Sequence, residues 1–315
     1  MFLSILWSVL ISSDLWQSTL QFAALLLLPA LGGLISERSG VVNIAMEGMM
    51  LIGAYAGVMT TLATHNVWLG VLGAMIAGAL FALIHAIVSI HFMANQTVSG
   101  IAINLAALGL TNFLLPLQTG GQGVTALSGS LRLPQLTWGP LANIPFIGPV
   151  FFQQNIIFYL AIVIVIGIHL LLFRTNIGLR IRAVGEHPQA ADTAGVNVRL
   201  VRYLCVIASG LLSGLAGAFL SLGIAGIFNQ NITSGEGYIA LAAMIFGKYT
   251  PFGTAGACII FGLGEALSPR LQSTGVNADL LSTLPYLLTL IALVGLVGRT
   301  TAPAADGIPY EPASE

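Results

Sequence analysis

Two polar side chains interrupt an apolar stretch near the start of this 315-residue chain. Asn43 and Glu47 lie four residues apart in VVNIAMEGMMLIGAY, a spacing that places both on one face of a helix. An ionisable group inside a membrane is costly, so it requires a partner or a function. The pair predicts a polar path for a solute, with the alternative that Glu47 pairs with a neighbouring helix and only holds the bundle together.

Two further polar residues could contact the same solute. Asn104 lies inside an apolar run, and its amide can hydrogen-bond a sugar hydroxyl or a base edge without the desolvation cost of an ion. A helix-packing role for Asn104 fits the sequence equally well. Glu236 opens the segment GEGYIALAAMIFG, where simple capping of a helix N-terminus competes with a place at the outer mouth of the path.

The sequence contains no recognisable set of residues for bond-breaking chemistry. The five histidines are scattered, and Cys205 and Cys258 each lie inside an apolar run. No Ser/His/Asp set can be assembled from local signatures, and the ATP-binding motif G-x-x-x-x-G-K-[ST] is missing. We therefore expect no catalytic residue, no metal and no cofactor, and we do not expect an enzyme.

Membrane helices must position these residues, because the composition excludes a soluble domain. The chain is 57% hydrophobic and 7% charged, against about 25% charged residues in soluble domains. The sequence predicts an all-α polytopic membrane protein with about nine spans (eight to ten), each needing roughly 20 apolar residues. One candidate, 237–247, is too short to cross and is expected to be a half-helix or re-entrant segment. The candidate spans are 16–35, 41–63, 67–90, 97–116, 153–173, 203–225, 237–247, 253–270 and 281–298.

One hydrophilic loop, residues 174–202, carries five of the ten basic residues of the chain. Because Lys and Arg are enriched in cytoplasmic loops, this loop is expected in the cytoplasm, which leaves eight basic residues inside and two outside. The N-terminus is then outside, the C-terminus inside, and the Gly-, Pro- and Gln-rich region 117–152 is an extracytoplasmic excursion. Residues 1–300 are expected to form a single transmembrane domain and residues 301–315 a disordered tail.

Three segments resemble, in the same order, segments of the inner-membrane permeases of ATP-binding-cassette (ABC) importers, in the branch for simple sugars, nucleosides and branched-chain amino acids. They are LISERSGVVNIAMEGMMLIGAYAG, RTNIGLRIRAVGEHPQAADTAGVNVRLVRY and GEGYIALAAMIFGKYTPFGTAGACIIFGLGEAL. The resemblance covers roughly residues 20–298. The first segment is most similar to that of the sugar and nucleoside members.

The resemblance implies that the hydrophilic loop is a cytoplasmic coupling loop, which inserts into a groove of an ATPase subunit. Its coupling helix is expected near 187–196. The residues that this expectation places at the ATPase are Glu186, His187, Ala191, Asp192 and Gly195.

The resemblance also implies a function and a set of partners. The chain would be the permease subunit of an importer for a nucleoside or a simple sugar, with nucleosides favoured, in a bacterial-type inner (plasma) membrane. Cytoplasmic ATPase subunits would hydrolyse ATP, a second, related permease would complete the path, and a periplasmic or lipid-anchored binding protein would deliver the solute. ATP and the binding protein would bias an equilibrium between outward and inward openings. No nucleic-acid partner is expected. The alternative is an ion-coupled secondary transporter with Glu47 and Glu236 as ion sites.

Overall fold

The computed structural model describes residues 8–272, 283 and 301–311 of the chain. Seven helices in this part are long and apolar enough to cross a membrane. Short π-helical turns extend the third helix to His91 and the eighth to Ala225. In chain order the helices are α1 Ser13–Arg38, α2 Met46–Thr64, α3 Val67–Ala86, α4 Gln96–Gln118, α5 Ile156–Arg174, α6 Asn176–Glu186, α7 Pro188–Thr193, α8 Val198–Ala218, α9 Glu236–Phe246 and α10 Pro251–Gln272.

The protein is a polytopic all-α membrane protein, as the composition predicts. The first eight candidate spans each coincide with a helix, and α9, with 11 residues, is too short to cross a bilayer, as predicted for 237–247. The candidate 281–298 lies outside the described residues. One boundary is wrong, because the predicted span 41–63 begins as non-helical chain and α2 starts only at Met46.

Helix α8 packs in the interior of the bundle through small residues. A methyl group on Gly53 of α2 would come within 2.7 Å of the Gly214 Cα on α8, and Gly78 of α3 lies directly against the backbone of Gly210. Lipid is as apolar as the helices, so close backbone approach of this kind, rather than the hydrophobic effect, holds membrane helices together.

Three helices present large apolar side chains at the outside of the bundle. Leu80 of α3, Leu105 of α4 and Val163 of α5 are at least 55% exposed. Helices α1, α2 and α8 are mostly buried instead. The exposed faces suit contact with lipid or with another membrane subunit.

Residues 117–152 cover one end of the bundle, which we call the excursion end. Leu127 and Leu133 from this region are buried in the main core. Gln17 of α1 reaches the same end and donates to Gln153 O at 2.9 Å. Two short antiparallel pairs order the backbone, β1 Val124–Ala126 with β4 Ile227–Asn229, and β2 Gln135–Thr137 with β3 Gln153–Asn155.

The opposite end of the bundle, the loop end, contains α6 and α7 from the hydrophilic loop 174–202. Arg38, the last residue of α1, donates from Nε and Nη2 to Tyr249 O at 3.0 and 2.7 Å. The turn between α9 and α10 therefore lies at this end too.

Residues 301–311 are the described part of the tail 301–315 that the sequence predicts to be disordered, and they form defined contacts. Residues 301–311 pack on the loop end, where the Ala305 N–H donates to Gly185 O at 2.9 Å and the Tyr310 side chain is buried. The partners of this segment lie more than a hundred residues earlier in the chain. The Pro- and Ala-rich composition of this segment predicts disorder, but contacts with distant residues hold it in place.

Candidate functional site

Two helices begin inside the bundle instead of at its ends. Helix α2 starts after the non-helical stretch 39–45, which we call the break, and α9 starts after the loop 230–235. Asn104 contacts the first turn of α2 at Gly48. Because Asn104 lies well inside α4, about 12 Å from its start, the start of α2 is at membrane depth. Non-helical backbone at this depth is stable only where its N–H and C=O groups find partners.

Val42, in the middle of the break, has both backbone groups bound by side chains of other helices. Its N–H donates to Gln96 Oε1 at 2.7 Å, and its C=O accepts from His85 Nε2 at 3.0 Å. In a neutral imidazole that donates from Nε2, Nδ1 accepts from Ser99 Oγ, 3.0 Å away. The two side chains thus replace the hydrogen bonds that a continuous helix would supply.

Asn43 joins the second half of the break to α8. Its Oδ1 accepts from the Ala45 N–H at 3.1 Å, and its Nδ2 donates to Ser209 Oγ at 2.8 Å. The side chain is fully buried. Because Asn43 lies in non-helical chain, the expectation that it shares a helix face with Glu47 is wrong.

Asn104 connects α4 with the break, with α2 and with α9. Its Oδ1 accepts from the Gly48 N–H at 2.7 Å, and its Nδ2 donates to Ile44 O at 3.0 Å and to the Tyr238 hydroxyl at 2.9 Å. Tyr238 is 45% exposed, so this polar network reaches the molecular surface at one side chain.

Glu47, in the first turn of α2, binds the start of α9. Its Oε1 accepts from Thr233 Oγ1 at 2.5 Å and from the Gly235 N–H at 3.0 Å, and its Oε2 accepts from the Gly237 N–H at 2.7 Å. Both helices direct the positive ends of their dipoles towards this carboxylate, which stabilises its charge. Glu47 therefore has the hydrogen bonds of a residue that holds two helices together.

Gly237 allows this contact by its lack of a side chain. A methyl group at this position would lie 2.5 Å from the Glu47 Cα and 2.6 Å from its N. Real Cβ atoms do not approach backbone so closely, so α2 and α9 meet at this distance only with glycine here.

Glu236 is the first residue of α9 and lies near the same cluster. Its side chain is close enough to Glu47 and Glu265 for the negative charges to interact. Its buried Oε2 has no hydrogen-bond partner among the described residues. The N-cap position itself is Gly235, which has no side chain to cap with.

Sequence reasoning missed most of the partners of this site. His85, one of the five scattered histidines, is fully buried. Its position within the candidate span 67–90 was the available signal, since an ionisable residue in an apolar span calls for an explanation. The other partners are Gln96, Ser209, Thr233 and Tyr238, uncharged residues that such a rule does not identify.

A second set of candidate residues lies at the loop end, around the turn between α6 and α7. Glu186 ends α6, His187 follows it, and both side chains are exposed. Ala191 is buried against Val184 and Val198, so it packs α7 onto the bundle instead of facing outward.

The end of α7 exposes the remaining two candidates. Gly195 has a φ of +82°, and its N–H donates to Asp192 O at 2.8 Å, which closes the helix. A methyl group on Gly195 would meet no described atom within 4 Å, so the backbone conformation, not space, calls for glycine. Asp192 is exposed, and its Oδ2 accepts from the Tyr310 hydroxyl at 2.6 Å.

Known proteins are similar to this chain along almost its whole length. The family described as branched-chain amino acid transport system / permease component matches residues 16–293. The guanosine ABC transporter permease protein NupQ of Bacillus subtilis is 44% identical over 96% of this chain and 98% of its own. The nucleoside ABC transporter permease protein NupC of Lactococcus lactis is 39% identical over 90% and 92%. A provisionally named glucose ABC transporter permease protein of Haloferax volcanii, TsgC13, is 37% identical over 92% and 93%.

A more distant relative comes from one of the same organisms. The guanosine ABC transporter permease protein NupP of Bacillus subtilis is 27% identical over 80% of this chain and 73% of its own. That organism therefore has two permeases with the same named substrate, one near to this chain and one far from it. No solved structure matches the chain.

Proposed function

The chain belongs to the branched-chain amino acid transport system / permease component family and is a transmembrane permease of an ABC transporter, and from this premise we propose that it forms half of the translocation path of a nucleoside importer. The observation that carries the substrate class is the 44% identity to a guanosine permease over nearly the full length of both chains. The exposed Tyr238 ring supports it, because a base can stack on an aromatic face.

The path in this proposal runs past Tyr238 and Glu236 at the start of α9. Glu236 Oε2, without a described hydrogen-bond partner, could accept from a ribose hydroxyl. Asn43, Glu47 and Asn104 are buried and hydrogen-bonded, so their part is to hold the two helix starts that shape the path. They contact solute only in a conformation in which the break has moved.

The energy for transport comes, in this proposal, from partner subunits. The chain lacks the P-loop motif, which agrees with cytoplasmic ATPase subunits that hydrolyse ATP while the permease itself breaks no bond. A periplasmic or lipid-anchored binding protein would deliver the nucleoside. The pair of unequal guanosine permeases in Bacillus subtilis supports a second, different permease chain as the other half of the path.

The loop end is the proposed contact with the ATPase. Glu186, His187, Asp192 and Gly195 are exposed there, and Ala191 supports α7 from behind. An apolar groove of about 360 Å³ runs beside them, lined by residues that include Leu179, Ala183, Ala190 and Ala194. A groove edged by charges suits a protein surface with apolar contacts at its centre and polar ones at its rim.

The proposed orientation puts the loop end in the cytoplasm of a bacterial-type plasma membrane, with the N-terminus outside. Eight of the ten basic residues support it. A membrane-impermeant maleimide tests it on Leu200→Cys and Ser130→Cys, since both positions are exposed and the native Cys205 and Cys258 are buried. In intact cells we expect only the cysteine at position 130 to be labelled. Labelling at position 200 alone would reverse the orientation.

Transport by the purified complex tests the proposed function. The permease pair and its ATPase subunits are reconstituted in liposomes, with the binding protein outside and ATP inside. We expect saturable uptake of radiolabelled guanosine that requires ATP and survives a protonophore, with no competition by glucose. Competition by glucose instead of nucleosides would overturn the substrate. Uptake without ATPase subunits that a protonophore abolishes would make the chain a secondary transporter.

A further inference from the structure

The C-terminal segment forms a strap along the loop end. We call residues 303–310 the C-terminal strap. Near its start it binds α6, where the Ala304 N–H donates to Glu186 Oε2 at 3.2 Å and the Ala305 N–H donates to Gly185 O at 2.9 Å. Ala305 is buried in this contact. The strap is thus fixed by backbone hydrogen bonds to the end of α6.

The far end of the strap binds α7. The Tyr310 hydroxyl donates to Asp192 Oδ2 at 2.6 Å, a charge-assisted hydrogen bond. The Tyr310 ring is 7% exposed and completes an apolar cluster with Val184, Ala191 and Val198. Tyr310 therefore covers the side of α7 that faces the bundle.

A buried arginine joins the middle of the strap to the break. Arg202 of α8 is 1% exposed, donates from Nη1 to Ile308 O at 3.0 Å, and donates from Nε to Ser39 O at 3.2 Å. Ser39 is the first residue of the break. Next to Ser39, the carboxyl group of Asp306 lies close enough to that of Glu37 for the two groups to interact, so the strap also approaches the last turn of α1.

These contacts form one continuous route from α7 to the break. It passes from Asp192 to Tyr310, along the strap to Ile308, and through Arg202 to Ser39. Its steps are three hydrogen bonds between described residues and the covalent backbone of the strap from Tyr310 to Ile308. Packed and hydrogen-bonded elements of this kind carry a displacement from one site to another when both ends have two positions.

We propose that the C-terminal strap transmits the displacement of α6 and α7 to the break, and that Tyr310 is a positioning residue for ATP-driven transport. The inference rests on the proposed function and deepens it, because it names how the ATPase contact reaches the intramembrane site. A strap that only stabilised the fold would leave the break's response to nucleotide intact in a correctly assembled complex.

The main experiment uses hydrogen exchange on the whole complex. The exchange of residues 39–45 is measured without nucleotide and with ADP and vanadate trapped at the ATPase sites after ATP hydrolysis. It is measured in the unmodified protein, in Tyr310→Phe and in Tyr159→Phe. Tyr159 is a matched control, since its hydroxyl also donates to an oxygen, Phe151 O, but away from the loop end. We expect nucleotide to change exchange in the unmodified protein and in Y159F, and not in Y310F. An unchanged response in Y310F would overturn the proposal.

A second readout measures guanosine uptake per ATP hydrolysed by the same complexes. We expect Y310F to lower this ratio about fivefold while ATP hydrolysis persists. Asp192→Ala, which removes the acceptor, is expected to give the same loss, and adding it to Y310F should cost nothing more if the two act through one bond. Additive losses would overturn that route. The unmodified complex could carry no guanosine while the exchange of 39–45 still depends on nucleotide and on Tyr310. That result would contradict the proposed substrate and support the proposed role of the strap.

Discussion

The break and the loop end hold their polar groups in opposite ways. Around the break, the polar side chains of Asn43, Glu47 and Asn104 are buried, and each has two or three hydrogen-bond partners. At the loop end, Asp192 and Glu186 are exposed and are bound to the strap through single hydrogen bonds. An unpaired polar group costs several kcal/mol where water is excluded and little where water can replace the partner.

This difference teaches that the two regions tolerate change differently. We expect the break to move only as a unit, because the loss of one partner leaves other groups without hydrogen bonds. We expect the loop end to exchange its contacts one at a time, since solvent substitutes for each. The four predictions below test this contrast, from the largest expected effect to the smallest.

The replacement Glu47→Ala is expected to have the largest effect. It leaves Thr233, Gly235 and Gly237 without their acceptor, and we expect a loss of about 3–6 kcal/mol in stability, with little protein in the membrane and no uptake. Thermal unfolding of the detergent-purified chain measures it. Glu311→Gln, at an exposed position, is the matched control. Equal melting temperatures for the two variants would contradict the structural role of Glu47.

Gly237→Ala sharpens the contrast by adding atoms instead of removing them. The new methyl group would meet Glu47 backbone at 2.5 Å, and we expect a loss of about 1–3 kcal/mol as α9 moves away. Gly109→Ala on α4 is the control, because no described atom lies within 4 Å of its added methyl. Melting temperatures and guanosine uptake should fall for the first variant only. A similar fall for both variants would mean that the effect comes from lost helix flexibility and not from a steric clash at position 237.

Gly195→Ala tests the loop end with the same change of residue. The added methyl group has open space around it, so only the positive φ of Gly195 is unfavourable for alanine. We expect this to destabilise the last turn of α7 by about 1 kcal/mol. We expect a nearly unchanged melting temperature and a measurable loss of ATPase binding in a pull-down. Gly195→Asn is expected to retain binding, since Asn tolerates this conformation. Loss with Asn as severe as with Ala would assign a different role to Gly195.

The smallest expected effect is a dependence of the strap on pH. Burial raises the pKa of Asp306 to about 6. Three neighbours lower this pKa in part: the Glu37 side chain of α1, the Gly307 backbone and the positively charged Arg202 of α8. Because the pKa is raised when the strap is bound, binding is favoured at low pH and weakens as the pH rises through about 6. We expect the protection of the Ala305 amide from hydrogen exchange, corrected for the chemical rate, to fall as the pH rises from about 4 to about 6. Asp306→Asn should remove that slope; an equal slope in the variant would contradict this assignment.

The sequence predicts the helices of this protein better than the site between them. Spans follow from apolar length, because lipid demands a helix wherever the chain crosses, and the short segment 237–247 stands out by the same count. The break does not stand out, because VVNIAM is apolar apart from Asn43 and continues the pattern of a span. What stabilises the break is His85, Gln96 and Asn104, which lie about 40 to 60 residues away in the chain.

The site residues show the same limit. Glu47 and Asn104 were identified because polar groups in apolar runs need partners, yet the sequence could not tell which partners they have. The strap shows it most clearly, since its Pro- and Ala-rich composition predicts disorder while its order comes from Arg202, Gly185 and Asp192. The local sequence pattern therefore identifies polar residues that need partners, but only the fold shows which residues those partners are.

The shared carboxylate of Glu47 has a consequence for leakage. From this point α2 runs towards the excursion end and α9 towards the loop end, so the two helices leave in opposite directions with their first turns tied together. A tilt of either helix carries the start of the other with it. We therefore expect that the opening of the path at one end of the bundle cannot widen unless the opening at the other end narrows. This coupling would keep the membrane sealed to ions throughout each transport cycle.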